Sequence, residues 1–502
     1  MRILYCSVIF LALHFGAKAE RINQEGRILG PLLSVTNSVL FNTAAADAVV
    51  STMQIYPANS AWNEDISRAP LLTNSAAMMS QITNDLATNR QTLRLFPEMN
   101  YALVPTNQPL VPIAFVTYPG DSDPAPYPIP TNMPVETWPS DSPTTNLYDW
   151  QRTVVDDDRH SIVVMPSSNI TWETWQALLT DSGWQASNGA KFDLNGNKLR
   201  TPGLTSGDAA GLPMFPALVR YDECERGMVE HAMRIVVKRS RMQYIYPATH
   251  YASTNPATVI NIPAMGQRVR LKATFTPPGN WTKEEKAVVG GLKKYGAMVA
   301  DNGGFFSISI TPDDRWPANC FSHINSLAIT NFEVIQTTGP TNGTRTPNPP
   351  VAFAGADFNA SVGVSVPLQG FVATFTNLPV TNVWKLYSGP SNMVFAATNQ
   401  TNSSVTFNAP GTYTLMLSGN DGVHPIAYDA VIATVGSAPV ITAISRVGTN
   451  VSITWSGGVA PFVLERATSL ASTNWIPIQT NNLPPLTVPI AGTEKYFRLR
   501  AQ

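Results

Sequence analysis

The stretch Val405-Thr-Phe-Asn-Ala-Pro-Gly-Thr-Tyr-Thr-Leu-Met-Leu-Ser-Gly-Asn-Asp-Gly422 decides the fold class. Two alternating runs, Ser404 to Phe407 and Thr412 to Leu417, are parted by Asn, Pro and Gly and followed by an Asp-Gly pair. Period-two alternation marks strands, and Pro and Gly between such runs mark turns. Further out, Val364 to Leu368, Val383 to Tyr387 and Ala427 to Val435 repeat the pattern. Residues 351–435 therefore read as a small β-sandwich.

Beyond the seam at Gly436-Ser-Ala-Pro439, residues 437–502 read as a second small β-module. Its strands are expected at Asn450 to Trp455, Phe462 to Arg466 and Lys495 to Arg500. Upstream, Thr337 to Pro350 is rich in breakers and nearly free of apolar residues, so 337–350 is expected to be a linker. Residues 20–336 then form the largest domain. At the other end, Met1-Arg2, the apolar run Ile3 to Phe15 and Ala17-Lys18-Ala19 have the layout of a secretory signal, with cleavage expected after Ala19.

Composition fits an exported, loop-rich β protein. Of 502 residues, 41 are proline, and only 13% are charged, against about 25% in an ordinary soluble domain. The formal net charge is −1. That balance argues against a nucleic-acid partner, which calls for a basic surface, and against polybasic attachment to lipid. No later segment is apolar for the length a spanning helix needs, so no membrane span is expected. Cys6 leaves with the signal, while Cys224 and Cys320 remain. In an oxidising compartment they could form a disulfide or stay as two buried thiols.

Within 20–336, helical patterns are few: Asn74 to Thr88, Trp172 to Leu179 with Thr171 as N-cap, and Lys283 to Val299 behind the capping box Thr282-Lys-Glu-Glu285. Strand patterns are commoner: Val111 to Thr117, Ser161 to Met165, Ala217 to Tyr221, Val229 to Val237, Gln243 to Tyr246, Arg268 to Phe275 and Phe305 to Ile310. The expected fold is mainly β: a β-sandwich or jelly-roll-like core with a few helices, plus two small C-terminal β-sandwich modules.

Five places hold residues suited to chemistry. Asp208 lies in a Gly-rich loop, and Asp222 and Glu223 close the run Ala217 to Tyr221. Strand-end carboxylates beside a cleft suit general acids and bases, although the same residues also suit loop-ordering turns. In Glu230-His-Ala-Met-Arg234, alternation sets Arg234 with Glu230 and puts His231 on an apolar-looking face. His250 and Tyr251 follow an aromatic strand and Pro247; they suit acid–base work or stacking on sugar rings. Asp156 to Asp158 precede Arg159 and His160; they could bind calcium as a structural ion or form a solvated turn. Asp301 sits at an Asn-Gly turn, and Asp313-Asp314-Arg315-Trp316 offers an ion pair and an aromatic platform. Nucleophile elbow, zinc-protease helix, Walker loop and dinucleotide fingerprint are all missing, and no histidine pair has helical metal-ligand spacing.

Three resemblances add to this. The segment from Val405 to Gly422 resembles Ig-like modules of the polycystic-kidney-disease (PKD) type, in which a Pro-Gly-Thr-Tyr turn leads into a core strand. The C-terminal module is similar to compact fibronectin-like domains. Residues of about 55–335 resemble a group of secreted bacterial and fungal proteins through Trp62-Asn-Glu-Asp-Ile66, Asp158-Arg-His160, Asp208-Ala-Ala-Gly-Leu-Pro213, Leu218-Val-Arg-Tyr-Asp-Glu223, His231-Ala-Met-Arg234, Pro247-Ala-Thr-His250, Met265-Gly-Gln-Arg268, Ala300-Asp-Asn-Gly303 and Asp314-Arg-Trp316. That resemblance implies one coherent secreted domain and no particular reaction.

The layout supports a secreted carbohydrate-active enzyme acting on a polysaccharide or cell-surface glycan. A hydrolase would use paired carboxylates, here Asp222 or Glu223 with Asp208. A lyase would use His231, His250 and Tyr251 as base and acid, with Arg234 facing the sugar carboxylate. Arg159, His160 and Trp316 are further candidates for substrate contact. The alternative is a non-catalytic extracellular carbohydrate-binding or adhesion protein, whose polar residues would scatter over the surface.

Overall fold

The computed structural model describes residues 20–140, 145–155, 157–336, 349–390, 393–481, 483–489 and 496–501. The signal-like segment, Asp156, Lys495 and most of the expected linker lie outside them. The chain divides into two compact units, one built on Asn23–Pro347 and the other on Asn348–Gln502. It is mainly β with few helices, as the alternation patterns lead one to expect.

The first unit holds two large sheets and a three-stranded one of Ile113–Phe115, Gly183–Ala186 and Leu178–Thr180. A six-stranded sheet runs in the order Phe332–Val334, Arg268–Leu271, Ala297–Asn302, Met233–Val237, Phe306–Ile310, Leu93–Pro97. A five-stranded sheet runs Val39–Leu40, Ala102–Leu103, Ser161–Met165, Ile170–Trp175, Asn188–Asp193. Both are mixed: in the six-stranded sheet Met233–Val237 pairs in parallel with Ala297–Asn302, and in the five-stranded one Ala102–Leu103 pairs in parallel with Ser161–Met165. A parallel pair needs a crossover, and the helix Lys283–Lys294 lies in the first of these connections. Its N-terminus is the expected capping box: the Thr282 side chain accepts from the Glu285 N–H, and Glu285 accepts from the Thr282 N–H. The helix stops at Lys294 rather than Val299, because Gly296 turns the chain at φ +66° into the Ala297–Asn302 strand.

Three local expectations change. Trp172 to Leu179 is not a helix: Ile170–Trp175 and Leu178–Thr180 are strands, and the first is buried between Ser161–Met165 and Asn188–Asp193. Alternating Thr and Trp suit a pleated surface with neighbours on both sides. Asp222 and Glu223 do not end a strand. Phe215–Ala217 is a short 3-10 turn, Val219 makes one bridge to Ile310, and Tyr221–Arg226 is a helical turn capped by Gly227 at φ +84°. Gln243 to Tyr246 contributes only the bridge between Tyr244 and Met265.

Of the two alternatives for the cysteines, the structure shows the buried thiols. Cys224 and Cys320 are separate free thiols, 0% and 4% exposed. Burial pushes the Cys224 thiol well above its usual range and Cys320 up to about 11, so both behave as small apolar residues.

In the second unit, a four-stranded sheet (Phe358–Ser361, Ala427–Gly436, Gly411–Asn420, Thr381–Ser388) and a three-stranded one (Ser365–Pro367, Ser404–Phe407, Met393–Phe395) share a core around Trp384, Phe407, Tyr413 and Leu415. The Tyr413 hydroxyl donates to the Ala409 carbonyl at 2.9 Å, the tyrosine-corner arrangement of sandwich domains. Two further three-stranded sheets, centred on Asn450–Ser456 and Phe462–Ala467, pack Ile453, Trp455, Phe462 and Leu464 into a separate small core.

Candidate active site

A cavity of about 410 Å³ opens in the first unit where residues of both sheets meet the loops at 205–209 and 250–252. The five-stranded sheet supplies one end of three neighbouring strands. Trp175 is paired with Asn188, and His160 immediately precedes Ser161, the partner of Thr174. The six-stranded sheet supplies Asp301. A register shift after Ile235 puts Asp301, instead of Ala300, opposite Val236. Alternation then sets Asp301 on the same face as Arg234.

The inner wall is an ionic cluster. Arg234 donates from Nε and Nη2 to the two Asp208 oxygens at 3.0 Å each, and from Nη1 to Ser309 Oγ at 2.8 Å. Ser309 in turn donates to Glu98 at 2.6 Å. Asp301 Oδ2 lies 3.7 Å from Arg234 Nη2, with its side chain 25% exposed. His160 has acceptors on both ring nitrogens: Glu136 Oε2 at 2.7 Å from Nδ1, and the Gly207 carbonyl at 2.8 Å from Nε2. Two acceptors require two N–H groups, so the ring is an imidazolium. Burial works against that charge, but Glu136 outweighs it and pushes the pKa up to about 10.

Four carboxyl groups, Glu98, Glu136, Asp208 and Asp301, thus share two cations, Arg234 and His160. The surplus shows in two of them. Burial, helped by the Glu136 charge, pushes Glu98 up to about 7. Burial and the Asp208 charge do the same to Asp301, also about 7. Burial would raise Glu136 too, yet the adjacent imidazolium holds it below its usual value. Asp301 is the protonatable carboxyl of this cluster that lines the cavity.

The outer wall is aromatic. Tyr118 and Trp175 stack with centroids 6.1 Å apart, and the Trp175 indole N–H donates to Asp158 Oδ1 at 3.0 Å. On the loop at 250–252, His250 lies parallel to Tyr251 at 5.9 Å. Its Nδ1–H donates to the Ala209 carbonyl at 2.7 Å. Gly211 makes this docking feasible: at φ +71° it lies against Thr249 and the Leu204 carbonyl, where a Cβ would collide. Asn188 Oδ1 is buried with no hydrogen-bond donor among the described residues.

The sequence candidates fall into separate groups. Asp208, His160, Arg234, His250 and Tyr251 gather at or beneath this cavity. Asp222, Glu223 and His231 belong elsewhere, in a network with Arg220 and Arg226. Glu223 meets Arg220 at 2.8 Å and His231 at 3.1 Å, and Asp222 meets Arg226 at 2.7 Å. Burial would raise Glu223, but Arg220 and His231 bring it down to about 2. Arg159 is buried, capping the carbonyls of Trp150 and Ala177. Trp316 packs on Tyr221 and Phe321, and its N–H goes to the Thr311 carbonyl. Asp158 accepts the Trp175 N–H on Oδ1, and no cluster of His, Cys, Asp or Glu suited to a metal occurs among the described residues. Glu98, Glu136, Asn188, Tyr118 and Trp175 carried no sequence signal.

No family model matches the chain, and no curated protein matches it. Among solved structures it is similar to the PKD domain from KIAA 1837 protein (24% identity, 17% of this chain and 85% of that one, TM-score 0.15). It is also similar to the PKD domain of human KIAA0319 (18% identity, 22% and 100% covered, TM-score 0.18) and to a three-domain fragment of titin (13% identity, 34% and 73% covered, TM-score 0.17). These are likenesses to PKD and Ig-like β domains and say nothing of activity. Among the described residues, no helix is long and apolar enough to cross a membrane.

Proposed function

We propose that the first unit is an exported carbohydrate-active enzyme that hydrolyses glycosidic bonds in this cavity. One observation carries the reading: a protonatable carboxyl, Asp301, and a second carboxyl, Asp158, line a single cavity whose walls are stacked aromatics. Asp301 would protonate the leaving oxygen, since its raised pKa keeps the proton near neutral pH. Asp158, oriented by the Trp175 N–H, would act as the carboxylate partner. The faces of Trp175 and Tyr118 suit the apolar faces of sugar rings, and the open acceptor of Asn188 suits a hydroxyl.

Hydrolysis is favoured over elimination from a uronate. The lyase reading relied on Arg234 to neutralise a sugar carboxylate, but that guanidinium is already held by Asp208 and Ser309. Asp121, Asp158 and Asp301 line the cavity, and the His160 imidazolium there is already paired with Glu136. The substrate class is therefore a neutral polysaccharide. The signal-like N-terminus supports action outside the cell.

The test is a panel of neutral and uronate polysaccharides with the chain from Glu20 onward, reading reducing ends and ultraviolet absorbance together. Reducing ends without new absorbance, lost in Asp301→Asn, are expected. New absorbance on a uronate polymer, or no cleavage of anything, would overturn the reading.

A further inference from the structure

Beside the cavity lies a larger groove of about 710 Å³, with Lys198, Thr201 and Pro202 on one wall and Tyr244, Tyr246 and Thr249 on the other. Its walls continue those of the cavity. The chain segment that lines the groove at 197–202 lines the cavity at 205–209, and the one at 244–249 reaches it at His250 and Ala252. Backbone contacts tie the two walls: the Gly203 N–H donates to the Thr249 carbonyl at 2.7 Å, and the Thr249 N–H donates to Ala210 at 3.0 Å.

A row of parallel rings crosses from one space to the other. Tyr244, in the groove, stacks on Tyr251 at 6.4 Å with 23° between planes, and Tyr251 stacks on His250, in the cavity, at 5.9 Å and 9°. Tyr251 is 38% exposed and Tyr244 half-buried, so this row reaches solvent. Asn197, also on the groove, keeps Oδ1 buried without a donor among the described residues.

We propose that this groove is an extended subsite tract of the same cleft, which holds further sugars of one polysaccharide chain along Tyr251 and Tyr244. The inference rests on the hydrolase reading for its ligand. It makes the enzyme one that engages a polymer over several units, not a single terminal sugar. Concave, mostly apolar walls with a few open polar atoms are the usual form of a ligand site.

Affinity electrophoresis in gels of soluble xylan, mannan, β-1,3-glucan, mixed-linkage glucan and starch tests it, using the chain from Glu20 onward. Asp301→Asn is expected to be retarded by the polymer that the parent cleaves. Adding Tyr244→Ala and Tyr251→Ala should raise its dissociation constant at least tenfold, whereas adding Tyr244→Phe and Tyr251→Phe should not. If the polymer is cleaved by the parent but the Ala pair leaves binding unchanged, the groove assignment fails and the hydrolase reading stands. If a polymer is bound through the two tyrosines but never cleaved, the groove stands and the hydrolase reading fails. Retardation by none of the polymers overturns the groove assignment.

Discussion

Arg234 holds both oxygens of Asp208 at 3.0 Å and has Asp301 3.7 Å from the same guanidinium. One cation cannot satisfy two carboxylates equally in a buried setting. The nearer one takes the paired geometry, and the farther one keeps a raised pKa. Burial first, and the Asp208 charge second, thus keep the proton on the group that faces the cavity.

Activity should follow that proton. With Asp301 near 7, the rate is expected to fall as pH rises above about 7, because the acid form is lost. Asp301→Asn should reduce turnover by a factor on the order of 10²–10⁴, the usual contribution of general acid–base catalysis, without changing the far-ultraviolet circular dichroism. A rate that keeps rising through pH 9 would remove Asp301 from the acid role.

Arg234→Met leaves the Asp208 carboxylate buried and alone. Breaking a buried pair from one side costs about 3–5 kcal/mol, so the urea midpoint of the first unit should drop sharply. The double change Arg234→Met with Asp208→Leu should be less destabilised than the single one, as a coupled pair requires. Additive losses would show that the two side chains do not depend on each other.

Stability should decline on the alkaline side. Glu98 and Asp301 have folded pKa values raised to about 7, as does Glu173, buried in the strand Ile170–Trp175 where it accepts from the Met214 and Phe215 N–H groups. The folded chain therefore holds protons that the unfolded chain sheds near its ordinary carboxyl range. Their contribution is complete below that range and is lost as pH rises through about 7. His160, raised to about 10, contributes fully below its ordinary value of 6.5, and that is lost as pH climbs through about 10. Glu223, held near 2, acts in the opposite sense: its contribution is present above its ordinary 4.5 and lost as pH falls through about 2. Urea midpoints measured from pH 5 to pH 10 should fall steadily; a maximum at pH 9 would contradict the buried-acid cluster.

Cys224 and Cys320 should both react with a thiol reagent once the chain is unfolded without reductant, and react slowly in the folded state, where burial keeps them as thiols. An unfolded chain that shows no free thiol would mean that they pair.

Local signals carried part of the fold. Thr282 and Glu285 announce their helix because a capping box involves neighbours in sequence only. Gly411–Asn420 and Ala427–Gly436 are legible for the same reason: alternation and turn residues state a hairpin without outside help. Trp172 to Leu179 misled because a short run of Trp, Thr and Leu fits a helix face or a central strand equally, and the choice is made by flanking strands distant in sequence.

The site divides in the same way. The sequence by itself determined a β-rich chain of separate modules, with Asp208, His160, Arg234 and His250 as groups able to do chemistry, because residue type and spacing set what each can donate or accept. Only the tertiary structure decided which of them meet. Glu98 and Glu136 join Arg234 and His160 across long sequence distances, the shift after Ile235 turns Asp301 to the Arg234 face, and Asp222, Glu223 and His231 are drawn into another network. Charge, burial and proton affinity arise from such non-local contacts, so no reading of one segment could assign them.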